Sequence, residues 1–119
     1  MPKQFIIYNL RDDVTVEDYL KWVNEFKGPL LLGLGSTKSY TLCKVTAAVK
    51  LDPTKGQPPE LVEPPFKLVA ILEVNSLEEW AKDRESKAYK EDFMPKYMAN
   101  WAADTLLLQA EEIYEKESE

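Results

Sequence analysis

Apolar side chains recur along this chain in two rhythms, one of two residues and one of three to four, and the changes between them mark its elements. Gln4 to Leu10 (QFIIYNL) is β-branched and aromatic on both parities and lies between Pro2 and the charged turn Arg11-Asp12-Asp13. A strand apolar on both faces is a central one, because an exposed strand would alternate. Thr15 then has the chemistry of a helix N-cap, with Glu17 and Asp18 in the first turn where the helix dipole favours acids. Val16, Tyr19, Leu20, Val23 and Phe26 follow a helical stripe with Trp22 at its edge, and Gly28-Pro29 is expected to stop it. Leu30 to Leu34 is read as one more turn or an ordered loop.

Ser36 to Leu51 is rich in Thr, Val and Tyr and predicts a long second strand that bends midway. Five of the eight prolines, at 53, 58, 59, 64 and 65, predict a stiff exposed connection with polyproline character. Phe66 to Val74 predicts the third strand. Its one parity, Phe66, Leu68, Ala70, Leu72 and Val74, is wholly apolar and should meet the helices; Lys67, Val69, Ile71 and Glu73 occupy the other. Ser76-Leu77-Glu78-Glu79 has the pattern of a capping box. The helix it opens carries Leu77, Trp80 and Ala81, then an aromatic stripe at Tyr89, Phe93, Tyr97 and Trp101. Pro95 predicts a kink or a break between Ser86 and Pro95. Asp104-Thr105 leads into a fourth strand expected at Leu106 to Tyr114, before the acidic tail 115–119.

The order βαββαβ predicts an α+β, ferredoxin-like domain over residues 1–114, with a four-stranded antiparallel sheet and both helices on one face, since parallel crossovers are right-handed. The opposite face would then expose Phe5, Ile7, Val69 and Ile71, with Glu73 beside them. At about 1.5 to 3 kcal/mol each, burying these four side chains would stabilise an assembly by on the order of 6 to 12 kcal/mol per subunit before association entropy. Sheet-to-sheet pairing into a homodimeric α/β barrel is the expected result, with Glu73 near Lys67 or Lys44 of a partner.

Composition narrows the function. The chain has 119 residues, 45% of them apolar, enough for one core. A formal charge of −6 without a basic patch argues against nucleic acid. The short apolar run of residues 1–10 has no cleavage signal and no stretch suits a membrane span, so the expected location is the cytoplasm. Cys43 is alone and forms no internal disulfide.

Three segments, Leu10 to Val23 (LRDDVTVEDYLKWV), Ile71 to Trp80 (ILEVNSLEEW) and Trp101 to Ile113 (WAADTLLLQAEEI), resemble the REDY-like, or HapK-like, family of the dimeric α/β barrel superfamily. The family takes its name from a protein encoded with bacterial pigment-biosynthesis genes. The wider superfamily includes monooxygenases, muconolactone-type isomerases, polyketide cyclases and haem peroxidases, whose ligands usually lie between sheet and helices. By matching positions, the resemblance implies a pocket lined by Gln4, Ile6, Tyr8, Leu10, Trp22, Phe26, Leu68, Ala70, Leu72, Val74 and Trp101. Polyketide cyclases of the superfamily place a His at the position matching Gln4. This chain has no His at all.

Without His, catalytic triads, common zinc sites and the usual proton shuttle are removed. The acidic pairs Asp12-Asp13, Glu78-Glu79 and Glu111-Glu112 suit solvation or capping better than a metal, and Gly33-Leu34-Gly35-Ser36 lacks the Lys and further Gly of a phosphate loop. No metal or cofactor is expected. Tyr8, Tyr40, Lys44 and Glu73 are polar groups on apolar strands. A buried Tyr hydroxyl can orient a carbonyl or donate a proton, and a desolvated Lys can act as base or imine former. Tyr8 is the candidate catalytic residue. The aromatic stripe is first a core, and in a pocket it would suit a small apolar or aromatic molecule. Two readings remain: an enzyme or accessory protein of aromatic or polyketide-type secondary metabolism, and a non-catalytic dimeric binding module.

Overall fold

The computed structural model describes residues 2–52, 54, 56 and 58–118, so Pro53 of the proline-rich stretch and Glu119 of the tail lie outside the described residues. Its elements are β1 (Lys3–Leu10), α1 (Val16–Trp22), α2 (Gly28–Leu32), β2 (Thr37–Lys44), β3 (Ala48–Lys50), β4 (Glu60–Val62), β5 (Leu68–Val74), α3 (Leu77–Arg84), α4 (Met94–Asn100) and β6 (Ala102–Ala110), with π-helical turns at Val23–Lys27 and Ala88–Phe93. Four strands form one antiparallel sheet in the order β2-β5-β1-β6, which is the ferredoxin-like α+β arrangement.

Strand parity sets the layers. Leu68, Ala70, Leu72 and Val74 of β5 are buried and alternate with half-buried Val69, Ile71 and Glu73. Gln4 and Tyr8 of β1 share the buried side and pack with Tyr19, Val23, Trp80, Phe93 and Tyr97 from the helical layer. On the other side the register aligns Phe5 with Ile71 and Leu108, and Ile7 with Val69 and Leu106. That face is therefore apolar across three adjacent strands.

Both expected caps are present: Thr15 Oγ1 accepts from Asp18 N at 3.1 Å, and Ser76 Oγ accepts from Glu79 N at 3.1 Å. Gly28-Pro29, however, does not stop the first helix. The π turn Val23–Lys27 carries the chain into α2, which ends at Gly33. Gly28 N donates to Val23 O, five residues back. Proline ordinarily breaks a helix through its missing N–H and its clash with the carbonyl four residues earlier; at the first turn after a wider π turn, both demands are relaxed. Gly28 is required by close approach, since a Cβ there would lie 2.9 Å from Val23 O.

Three further boundaries differ from the pattern-based reading. Ser36 to Leu51 is not one bent strand: β2 ends at Lys44, and β3 pairs with β4 as a separate two-stranded ribbon. Part of the proline-rich stretch is thus strand, because Glu60–Val62 has no proline to remove a ladder donor. The last strand is β6 at Ala102–Ala110, earlier than expected, and Ile113 and Tyr114 are exposed beyond it. Asp104, at φ 47°, adjoins a register shift between Ile7 and Asn9, a bulge that lets pairing begin immediately after α4. The break near Pro95 falls at Glu85–Ser86, and Pro95 itself is accommodated in the first turn of α4.

Candidate functional site

The helix-facing side of the sheet holds an ammonium group that no strand pattern reveals. Lys27 is only 3% exposed. The π turn that ends at this residue brings its side chain inward, where Nζ donates to Tyr19 Oη at 2.6 Å and to Tyr8 Oη at 3.2 Å. The two hydroxyls also share a hydrogen bond of 2.6 Å with each other, closing a three-membered ring. Tyr19 is set by the Thr15 cap four residues upstream, and Tyr8 by β1, the central strand.

Aromatic rings surround this amine. Nζ lies 4.5 Å from the Tyr97 ring centre, 4.9 Å from Tyr8, 5.3 Å from Tyr19, 5.6 Å from Tyr40 and 5.9 Å from Phe93. No carboxylate pairs with it among the described residues. Ring faces return about 0.5 to 2 kcal/mol to a cation, whereas burying an ammonium costs several kcal/mol. The burial wins, and it lowers the Lys27 pKa to about 7. Burial also pushes the Tyr8, Tyr19, Tyr40 and Tyr97 hydroxyls above the ordinary phenol range, so all four remain protonated near neutrality.

Lys27 borders a cavity of about 220 Å³ between sheet and helices. Ile6, Ala70, Leu72 and Leu107 form its floor, Tyr40 one side, and Trp80, Phe93, Met94 and Tyr97 its roof. Met98 and Leu107, both exposed, mark the side on which it reaches solvent. Four wall residues contribute buried polar atoms with no hydrogen-bond partner among the described residues: Tyr40 Oη, Trp80 Nε1, Tyr97 Oη and Thr105 Oγ1. Burial is the main influence on both Tyr40 and Tyr97. The nearby Tyr8 opposes it at Tyr40 and Thr105 opposes it at Tyr97, but neither pair reaches hydrogen-bond geometry.

Of the residues implied as pocket lining, Ile6, Ala70 and Leu72 border this cavity. Tyr8, Gln4 and Val74 are fully buried beside it and not on its wall, and both amide atoms of Gln4 are unpartnered. Trp22, Phe26 and Trp101 stack together, Trp22 lying 5.5 Å from Phe26 and 5.6 Å from Trp101 between ring centres, and pack on Tyr97 and Phe93 from outside. Leu10 and Leu68 face a broader, polar depression near Arg11, Lys44 and Asp104. Lys44 is exposed there, and Lys67 pairs with Glu63 in the same chain.

Lys27 and Tyr19 escaped sequence reasoning as site residues. A Lys ahead of Gly-Pro has the pattern of a solvated helix end, and the only signal against it was the phase of the stripe, on which Val23 and Lys27 are four apart. Among the described residues no cluster of three or more His, Cys, Asp or Glu could hold a metal, and no helix is long and apolar enough to cross a membrane.

A family model described as REDY-like protein HapK matches residues 2–113. No curated protein sequence matches the chain. Among solved structures, HapK from Hahella chejuensis superposes with a TM-score of 0.69 at 12% identity, covering 100% of this chain and 99% of its own. A dimeric ferredoxin-like protein of unknown function from Thermobifida fusca gives 0.63 at 12% identity, over 92% of this chain and 88% of that one. A DABB-family protein with a ferredoxin-like fold from Mesorhizobium loti gives 0.65 at 7% identity, over 95% and 97%. At these identities the likeness concerns the fold.

Proposed function

This chain belongs to the REDY-like HapK family, and on that premise we propose that it is a homodimeric small-molecule-binding protein whose ligand occupies the cavity beside Lys27. The carrying observation is the set of four unpartnered buried polar atoms on that wall. Such groups are rarely left unpaired, each costing about 1 to 3 kcal/mol, so their concentration in one place calls for a partner from outside the chain. Size and lining define the ligand. A dry apolar cavity of about 150 Å³ holds benzene, so the present volume of about 220 Å³ suits one substituted aromatic ring or two small fused rings. Its acceptor atom would meet Lys27, Tyr40 or Tyr97.

Pairing follows from the other face. Leu106 and Leu108 are 52% and 48% exposed and continue the apolar surface of Phe5, Ile7, Val69 and Ile71. A fold relative described as dimeric supports this pairing.

Thermal denaturation with indole and with benzyl alcohol tests the ligand site. Binding should raise the melting temperature progressively, by the equivalent of about 2.7 kcal/mol at a hundred times Kd, and should change the fluorescence of Trp80. Ala70→Leu fills the cavity floor and should abolish the shift while the chain still folds. A shift that persists in that variant would place binding elsewhere, and no shift with a broad aromatic panel would make the cavity a water-filled gap in a core.

A further inference from the structure

We propose that Lys27 is a covalent, imine-forming residue whose Nζ condenses with the carbonyl carbon of a small aromatic aldehyde or ketone bound in the cavity. This rests on the reading of that cavity as the ligand site. Three geometric facts carry it. The amine lies on the wall of an apolar cavity sized for one or two rings. Among the described residues its environment contains hydroxyls and rings but no carboxylate, so none of them fixes it as a permanent ammonium. Further hydroxyls, on Tyr40 and Tyr97, stand on the same wall without partners among the described residues, available to a carbonyl oxygen.

The step balances without any oxidant or reductant. The Nζ lone pair attacks the carbonyl carbon, a C–N bond forms, and the carbonyl π pair moves to oxygen, which takes a proton from the Tyr40 or Tyr97 hydroxyl. The nitrogen, now cationic, gives one proton back to that phenolate across the cavity, leaving a neutral carbinolamine. Protonation of its hydroxyl breaks the C–O bond, water departs, and the second nitrogen proton is released as the C=N bond forms. Amine plus carbonyl gives imine plus water. Tyr8 and Tyr19 act here as positioning residues that aim Nζ, both through Lys27, since neither borders the cavity.

Reactivity should be selective. At pH 7 an exposed lysine with an ordinary pKa near 10.4 is neutral in roughly one molecule in 2,500, while burial leaves about half of Lys27 uncharged. Allowing for the weaker nucleophilicity of a less basic amine, Lys27 should react on the order of a hundredfold faster than a surface lysine.

The test treats the full-length protein at pH 7 with benzaldehyde and cyanoborohydride, then maps the reduced adduct by peptide mass spectrometry. One benzyl group on Lys27, in large excess over any other lysine, is the expected result, and Lys27→Met should lose it. Benzyl alcohol, which cannot form an imine, is followed in parallel by thermal shift. If benzyl alcohol shifts the melting temperature but Lys27 stays unmodified while surface lysines are labelled, the imine proposal is overturned and the ligand site stands. If neither probe engages the cavity, both readings fall.

Discussion

On one side of the sheet Gln4, Tyr8, Leu68, Leu72 and Val74 vanish beneath helices that carry rings and, among the described residues, a single buried amine; on the other, Phe5, Ile7, Val69, Ile71, Leu106 and Leu108 have no covering layer among the described residues. The same strands supply both faces at a period of two residues. The covered face is chemically mixed and closed by the chain itself. The open face is apolar at its centre, with Lys3, Ser39, Thr41 and Glu73 on the same parity around it, so it suits a second sheet, and its expected contribution is assembly rather than recognition. A change on the open face should therefore act on mass, and a change on the covered face on protonation and binding.

The largest expected effect comes from Ile71→Asp. An unpaired charge on a paired sheet face costs about 3 to 5 kcal/mol, so sedimentation at micromolar concentration should change from dimer to monomer or aggregate, whereas unmodified protein should sediment at about twice its 13.7 kDa chain mass. A wild-type chain that is already monomeric would remove the contrast between the faces.

A pH titration of stability addresses the covered face. The folded-state pKa of Lys27 is depressed to about 7 by burial, against about 10.4 when unfolded. Between those values the unfolded chain binds more protons, so stability rises with pH across the window and is lost as pH falls toward 7. From pH 7 to 9 the gain should be about 2 kcal/mol in denaturant unfolding. Lys27→Met should flatten that slope. The comparison ends below pH 10, where the raised pKa values of Tyr8, Tyr19, Tyr40 and Tyr97 begin to act in the opposite sense. Equal slopes in the two proteins would mean that Lys27 is charged in the folded state at pH 7.

Tyr8→Phe should cost less, about 1 kcal/mol, since Tyr19 and Lys27 keep their shorter 2.6 Å contact. Chemical denaturation reads the loss directly, and sedimentation should remain that of the dimer. The smallest effect is expected from shortening the connection between Lys50 and Glu60. A two-stranded ribbon outside the main sheet contributes little alone, so the melting temperature should scarcely move. A large fall would show that the exposed Leu51 and Leu61 pack in the assembly.

Local signals were the legible ones. The parity of β5, the caps at Thr15 and Ser76, and the central position of β1 each depend on a few adjacent residues, and all were readable from their spacing. The layers and the open face follow from them, although Leu106-Leu107-Leu108 is apolar on both parities, so only the register with β1 shows that Leu106 and Leu108 belong to that face. Lys27 was not legible. Its burial depends on a π turn, a departure from the regular helix that no apolar stripe encodes, and on hydroxyls eight and nineteen positions away. Tyr40 is legible as a polar group on a strand, but its approach to Lys27 is not.

The π turn has a consequence for comparing this chain with its relatives. An α turn takes about 3.6 residues and a π turn about one more, so one of each spans about eight, which is the separation of Tyr19 from Lys27. An unbroken α-helix over the same eight residues would overshoot two turns and swing the amine about 80° around the axis, away from both phenols. Deleting one residue between them would leave seven, about two α turns, and return a lysine to within about 20° of the same face. Alignment gaps at this point are therefore informative. A homologue with a strand-one Tyr, a Tyr eight residues before a Lys, and Gly directly after that Lys would retain the buried amine through the π turn, and one with a single-residue gap there would present it from a plain α-helix with the Tyr seven residues before the Lys.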